Sequence, residues 1–371
     1  MESLLSTKDL AVGYNRKILI NGINISLEKG KILTLIGPNG TGKSTVLKTI
    51  TRQLQSVSGN IFIGSQLINN ISGKDFARQT AVVLTERIHP ELMTCAELVA
   101  MGRYPYTNLF GSLTEHDKSV VTASLERVHA LDLADKDFST LSDGQRQRIL
   151  LARAICQEPE IIVLDEPTAY LDIRYKIELL SILREMAREQ GTAVVMSLHE
   201  IDLAMKISDE ILCLDGKRIT AYGSPDMIYS SYEIERLFDL QSGSYNLLFG
   251  SVELPKTEGK PEVFVIAGNG KGTPFFRKLQ RQGIPFAAGI LFENDVDCQT
   301  ADVLSSEVVK TSAFHPIFDD VIRKAAEIIS GCGYVLDAGT DYGTLSYAKN
   351  ILLDHAAENG IPVMDKLKGT N

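Results

Sequence analysis

At 371 residues the chain is long for one compact domain and comfortable for two, and its 44% hydrophobic and 23% charged residues are the mixture of an ordinary soluble globular protein. A net charge of −9 argues against a broad nucleic-acid-binding face, and no apolar run reaches the ~18 residues that a membrane-crossing helix needs. The five scattered cysteines form no CxxC pair, which speaks against a disulfide framework or zinc site and for a reducing cytoplasm.

The opening MESLLSTKDL has no basic stretch followed by an apolar core, so no secretory signal is read there. From Leu10 to about Leu248, strand-length apolar runs alternate with longer amphipathic segments, an α/β pattern. The first strong strand, Ile32–Ile36, runs into Gly37-Pro38-Asn39-Gly40-Thr41-Gly42-Lys43-Ser44, with a helix expected over Thr45–Thr51. GxxxxGK[ST] between strand and helix is the arrangement that cradles phosphate. Its glycines let successive N–H groups turn inward, and the helix N-terminus adds partial positive charge. Lys43 would reach the β- and γ-phosphates, Ser44 would ligate Mg²⁺, and Thr45 could donate to the α-phosphate. The alternative is a structural Gly-rich turn, which would not require strand, loop and helix to agree.

Ala81–Leu84 forms a second strand. Between residues 86 and 151 strand signals vanish and helical periodicity takes over, with Leu125, Val128 and Leu131 on one stripe, so a helical insertion is expected. Ile161–Leu164 is then a buried strand ending in Asp165 and Glu166. Ligands of doubly wound sheets sit beyond the carboxyl ends of the strands, so these acids and the phosphate loop are expected on one edge. There Asp165 would hold Mg²⁺ through water, and Glu166 would orient or deprotonate an attacking water. His199 follows the strand Ala193–Leu198 and could donate to the γ-phosphate. A lone histidine is otherwise ordinary surface or core polarity.

Residues 251–261, containing LPKTEGKP, read as a linker. After it the strands Val263–Ala267, Pro285–Leu291 and Tyr334–Asp337 alternate with helices, giving a second, smaller α/β domain over 262–371. Its string Ala267-Gly-Asn-Gly-Lys-Gly-Thr273 could cradle a phosphate but lacks the dinucleotide fingerprint. A tight strand–helix turn is the plainer reading. Asn294, Asp295 and His315 are polar candidates near presumed strand ends.

Leu141-Ser142-Asp143-Gly144-Gln145, just before a helix expected over Arg146–Gln157, resembles the LSGGQ signature of ABC ATPases, with Asp143 in place of the first glycine. Physically, Ser142 can cap its helix and Gly144 lets the backbone approach a phosphate. The resemblance covers about residues 1–250. It implies a P-loop NTPase of the ABC type, with a mixed sheet and a helical insertion over about 86–151, and leaves the second small α/β domain outside. It further implies that Ser142, Gly144 and Gln145 serve the ATP held by an opposite subunit, in a head-to-tail homodimer with two composite sites. Tyr14 matches the aromatic that stacks on adenine. Asp172 matches the loop that crosses the dimer interface and can also cap the helix beginning near Ile173. Where the family places a glutamine that touches Mg²⁺ and the attacking water, this chain has Thr85, a metal-site position of shorter reach.

Glu97–Gly111, ELVAMGRYPYTNLFG, resembles the corresponding region of importer ATPases for ferric siderophores, haem and vitamin B12, which receives a short cytoplasmic helix of the membrane subunit. The resemblance implies an ATP-hydrolysing subunit, peripheral on the cytoplasmic face of the cell membrane, with ATP and Mg²⁺ as cofactors. Its partners would be a second copy, a polytopic permease and, indirectly, an extracytoplasmic binding protein, with no nucleic acid. A soluble ABC ATPase or a nucleotide sensor without a permease is the alternative. For the second domain, a ligand-sensing module and a dimer-stabilising appendage both stay open. Thr85→Gln is expected to raise the steady-state ATPase rate; a rate and coupling equal to those of the parent chain would remove any limiting role for Thr85.

Overall fold

Runs rich in isoleucine, valine and leucine become strands, and Ser72, Thr94, Thr114, Ser142, Asp172 and Asp295 each cap the start of a helix. In a computed structural model, residues 3–84, 92–108, 111–230, 233–238, 244–246, 250–339, 343 and 346–365 are described. They divide into two units, Met1–Asp239 and Leu240–Asn371.

In the first unit β1 (Ser3–Tyr14), β2 (Lys17–Ile23) and β3 (Ser26–Glu28) precede β4 (Ile32–Ile36), which leads into α1 (Lys43–Ile50). With β5 (Ser58–Ile63) and β6 (Gln66–Leu67) they form an antiparallel sheet of order β2-β1-β5-β6, β3 pairing with β1. There follow α2 (Gly73–Gln79), β7 (Thr80–Val83), α3 (Cys95–Ala100), α4 (Glu115–Arg127) and α5 (Asp143–Cys156). Next come β8 (Ile161–Leu164), α6 (Ile173–Gln190), β9 (Ala193–Ser197) and α7 (Ile201–Ile207). The unit closes with β10 (Glu210–Leu214), β11 (Ile219–Gly223), α8 (Pro225–Ser230) and α9 (Glu233–Leu237).

The second sheet has the order β11-β10-β4-β9-β8-β7. All its neighbours are parallel except β11, which runs antiparallel to β10, so the sheet is mixed. Strands β4, β8 and β9 are buried at every position, as a sheet covered on both faces demands. A single core joins Leu10, Val12 and Ile20 of the antiparallel sheet to Leu33 and Leu35 of β4 and to Val46 and Leu47 of α1. Because β4, β9 and β8 are parallel neighbours, whatever follows their last residues emerges on one edge.

The insertion is helical, and capping boxes start its helices: Thr94 with Glu97, Thr114 with Asp117, Ser142 with Gln145. Its expected stripe is broken at the third residue. Leu125 and Val128 are buried, but α4 stops at Arg127, His129 turns left-handed (φ 49°), and Leu131 lies 46% exposed. Between α3 and α4 the 3₁₀ stretch Met101–Tyr106 carries Arg103, which is buried. Arg103 Nε donates to Asp117 Oδ1 at 2.9 Å, and Nη1 donates to Glu158 Oε2 at 2.6 Å and Cys156 O at 2.8 Å.

In the second unit β12 (Ser244–Asn246) and β13 (Ser251–Glu253) pair antiparallel. Then β14 (Val263–Ile266), α10 (Thr273–Gln282), β15 (Phe286–Phe292), α11 (Val296–Leu304) and β16 (Glu307–Thr311) alternate. They continue through α12 (Asp319–Ser330), β17 (Tyr334–Asp337), α13 (Ser346–Glu358) and β18 (Val363–Met364). The parallel order β16-β15-β14-β17-β18 is doubly wound, with its switch between β14 and β17. Period-two alternation divides β14: Val263 and Val265 share a core with Phe276 and Leu279, while Phe264 and Ile266 share one with Ile322 and Ile329. All five cysteines are buried and unbridged, and no described helix is long and apolar enough to cross a membrane.

The Thr114 hydroxyl and N–H, followed by Arg103, hold the Asp117 carboxyl at about 2, below its ordinary 3.8. A depressed carboxyl stabilises the fold above its unfolded value and loses that contribution as pH falls through the folded one. Asp117→Asn should therefore flatten the acid limb of the stability curve between about 3.8 and about 2. Arg103→Ala, which strands a buried carboxylate, should cost about 3–5 kcal/mol by urea denaturation at neutral pH.

Candidate functional site

Between β4 and α1 the chain turns through three glycines at positive φ: Gly37 at 152°, Gly40 at 77° and Gly42 at 93°. A Cβ on Gly37 would lie 2.1 Å from Leu214 O, and one on Gly42 would lie 2.8 Å from Ile20 Cδ1, so the loop is pressed against β10 and β2. Thr41 Oγ1 donates to Pro38 O at 2.8 Å and tightens the turn, while Asn39 stays exposed. Lys43 is only 4% exposed, and its Nζ donates to Gly37 O at 2.7 Å and Pro38 O at 3.0 Å. Burial pushes this ammonium below the ordinary lysine range, while the Glu166 and Asp165 carboxylates pull the other way. Ser44 and Thr45 occupy the first turn of α1, and Tyr14, at the end of β1 and half-exposed, brings its OH to 3.3 Å from Thr45 Oγ1.

At the end of β8, Asp165 is buried and Glu166 has φ 49°, a left-handed conformation uncommon outside glycine. Ser197, the last residue of β9, fixes both. Its Oγ donates to Asp165 Oδ1 at 2.7 Å and accepts the Glu166 N–H at 2.8 Å. His199 Nε2 lies 2.6 Å from Glu166 Oε1. The next residue, Glu200, accepts from Thr168 Oγ1 at 2.8 Å and pairs with Lys176. Lys43, Asp165, Glu166 and His199 thus meet on one sheet edge. Ser197 and Glu200 were not anticipated. For Ser197 a signal existed, a hydroxyl closing an otherwise apolar strand; Glu200 offers none.

Among the described residues no group of three or more His, Cys, Asp or Glu could by itself hold a metal ion. The Ser44 hydroxyl and the Asp165 carboxylate are hard oxygen donors, a set that suits Mg²⁺ when phosphate oxygens and water complete its shell. Thr85 lies outside the described residues.

The start of α5 is built differently. Ser142 Oγ accepts the Gln145 N–H at 3.4 Å, and Gln145 Oε1 accepts the Ser142 N–H at 3.0 Å. Asp143 stands in the first turn, where an acid suits the helix dipole, 3.7 Å from Arg146. A Cβ on Gly144 would meet nothing nearer than Leu171 Cδ2, at an ordinary 3.5 Å. Nothing in its own chain requires glycine there. Asp172 caps α6, accepting the Tyr175 N–H at 3.1 Å, between the exposed Tyr170 and Ile173.

In the second unit the loop after β14 is a tight turn whose inward N–H groups are already taken. Asn269 N–H donates to Asp295 Oδ2 at 2.6 Å. Gly272 and Thr273 N–H donate to the two oxygens of Asp297 at 2.7 and 2.8 Å, and Thr273 Oγ1 adds another bond at 2.8 Å. Asp297, fully buried, supplies the cap that Gly272 lacks. Asn294 lies in the turn after β15, and His315 lies after β16 with its N–H on Ser312 O. Asp297→Ala should leave two N–H groups unpaired and lower the stability of the second unit by about 2–4 kcal/mol, read by native-state hydrogen exchange.

Set against known proteins, the ABC transporter family pattern matches residues 20–169, and that of the MJ0874 family matches residues 286–366. The chain is 42% identical over 289 residues to an uncharacterized ABC transporter ATP-binding protein of Methanocaldococcus jannaschii, covering 78% of this chain and all of that one. It is 36% identical over 237 residues to the iron(3+)-hydroxamate import ATP-binding protein FhuC of Bacillus subtilis, 62% of this chain and 88% of that one. Among solved structures it superposes on a chain described as of a metal-chelate type ABC transporter in an inward-facing conformation. The TM-score is 0.57 and the identity 30%, over 64% of this chain and 89% of that one.

Proposed function

The chain belongs to the family of ABC transporter ATP-binding proteins and is an ATPase, and on that premise we propose that it powers the import of a metal chelate of the ferric-siderophore, haem or cobalamin kind. The roles of its relatives, hydroxamate import and metal-chelate transport, support this cargo class, as does the GRYPYTN stretch after α3.

In this reading ATP lays its phosphates along Gly37–Thr45 and its adenine on Tyr14. Lys43 exchanges its bonds to Gly37 O and Pro38 O for the β- and γ-phosphates. Mg²⁺ would be held by Ser44 and, through water, by Asp165, and would neutralise charge on the phosphates. Ser197 keeps Asp165 and the Glu166 backbone in place. Glu166 orients the attacking water or takes its proton, and His199 donates to the γ-phosphate. Thr85 is carried only as a weaker substitute for a water-positioning glutamine.

The observation that carries the dimeric reading is Gly144. A capped helix start with room above a glycine would suit a phosphate brought from outside its own chain. A second copy, facing head to tail, would bring its γ-phosphate there, so that ATP closes the pair and hydrolysis lets it open. A cavity of about 720 Å³ between α2 and residues 104–108, lined by Lys74, Ala77, Tyr104 and Pro105 among others, suits a short segment of a membrane subunit. In this reading the protein sits at the cytoplasmic face of a membrane beside a polytopic permease, with an extracytoplasmic binding protein selecting cargo.

Glu166→Gln should accumulate an ATP-bound dimer in light scattering, with turnover reduced about 100-fold or more. Turnover at the parent rate would sink the catalytic assignment. A pull-down from gently solubilised native membranes should recover a polytopic subunit; soluble partners alone would favour an ATPase that works without a permease.

A further inference from the structure

The second unit exposes large apolar side chains around the starts of α12 and α13. Phe314, in the turn after β16, is 95% exposed and has φ 61°, a left-handed conformation uncommon for so bulky a residue. Phe318, just before α12, is 58% exposed, and Tyr347 and Ile351, one turn apart on α13, are open as well. The two helices are tied at both ends. Tyr347 OH donates to Ile317 O at their starts, and Ser330 Oγ lies 2.9 Å from His355 Nε2 near their ends. Beside this apolar strip runs the outer face of α12, where Asp319, Asp320, Arg323 and Lys324 are exposed. Among the described residues Asp319, Asp320 and Arg323 have no ion-pair partner, and Lys324 meets Glu307 only at 3.7 Å.

The order of these charges fits a second copy of the same face. Two acids come first and two bases follow, and at 3.6 residues per turn all four fall within about 140° of the helix circumference. A twofold axis crossing α12 midway between Asp320 and Arg323 sets two copies of the helix antiparallel. Asp320 then stands over the second copy's Arg323, and the same axis sets Asp319 over its Lys324. A face complementary to itself is what an isologous contact requires. Phe314, Phe318, Tyr347 and Ile351 together expose on the order of 450 Å² per copy, over half of the ~800 Å² that each partner buries in a standard interface. The charged rim supplies the remainder. We propose that α12, α13 and the turn bearing Phe314 pack against the same face of a second copy, which makes the second unit a dimerisation module that needs no nucleotide. The contact is separate from the ATP-dependent pairing proposed above. Joined to it, the module keeps two chains together while the composite sites open.

Sedimentation velocity of the full-length chain without nucleotide tests this. The parent chain should be dimeric at tens of micromolar. Phe314→Asp with Phe318→Asp should raise the dissociation constant about 10-fold or more. Arg323→Asp alone and Asp320→Arg alone should each weaken pairing about 5-fold or more, because each sets like charges opposite one another. All four substituted residues are exposed, so the variants keep the fold. Mixing the two charge variants should recover parental affinity, since each chain then meets opposite charges at both contacts, an outcome that a purely structural role for either residue does not give. A parent chain that stays monomeric without nucleotide overturns the proposal, as do aspartate variants that pair like the parent or a mixture no tighter than its components. A nucleotide-free dimer that persists while Glu166→Gln gains no further association with ATP, seen as no change in Tyr14 or Ser142 protection, would overturn the composite-site reading alone.

Discussion

The Ser197 hydroxyl joins the ends of two parallel strands at the point where the chain's acids leave the sheet. By donating to Asp165 and accepting from the Glu166 backbone, it fixes a buried carboxylate and a left-handed peptide in one place. The phosphate loop arrives at the same edge because β4 lies on the other side of β9. Polar groups at the ends of fully buried strands need partners, and here one hydroxyl is the partner of both the Asp165 carboxylate and the Glu166 N–H. The ring of His199 then has a defined neighbour in Glu166 Oε1.

The two units use similar local chemistry for opposite ends. In the first, the glycine-rich turn occupies its own lysine with loop carbonyls, bonds that a phosphate would replace in the proposed reading. In the second, a turn of comparable composition is filled by Asp295 and Asp297. The same backbone preference for an anion is met from within, and the result is a rigid corner between β14 and α10.

Much of this was legible in the residues. The strands Ile32–Ile36 and Ile161–Leu164 stand out because they are apolar at every position, and the glycine spacing before Lys43 has few other uses. The antiparallel sheet was not foreseen in detail, since β2 alternates irregularly between exposed and buried residues. Likewise β16, with Glu307 and Lys310 among its five residues, does not look like a strand until β15 pairs with it. The second glycine-rich turn could not be settled from its own letters, because its occupant comes from Asp297, 25 residues later. Arg103 was passed over for the same reason. Its acceptors lie 14, 53 and 55 residues away, and no local pattern encodes them.

Asp117 belongs to two kinds of structure at once. One oxygen accepts the Thr114 N–H and hydroxyl that start α4, and the other accepts Arg103. A local helix start and a long-range tie thus share one carboxylate, and neither is complete without the other. Loops and helices that depend on separate residues can fray independently, whereas these must be lost together. The insertion should open as one cooperative unit, with α4 and the stretch around Arg103 sharing a single opening free energy.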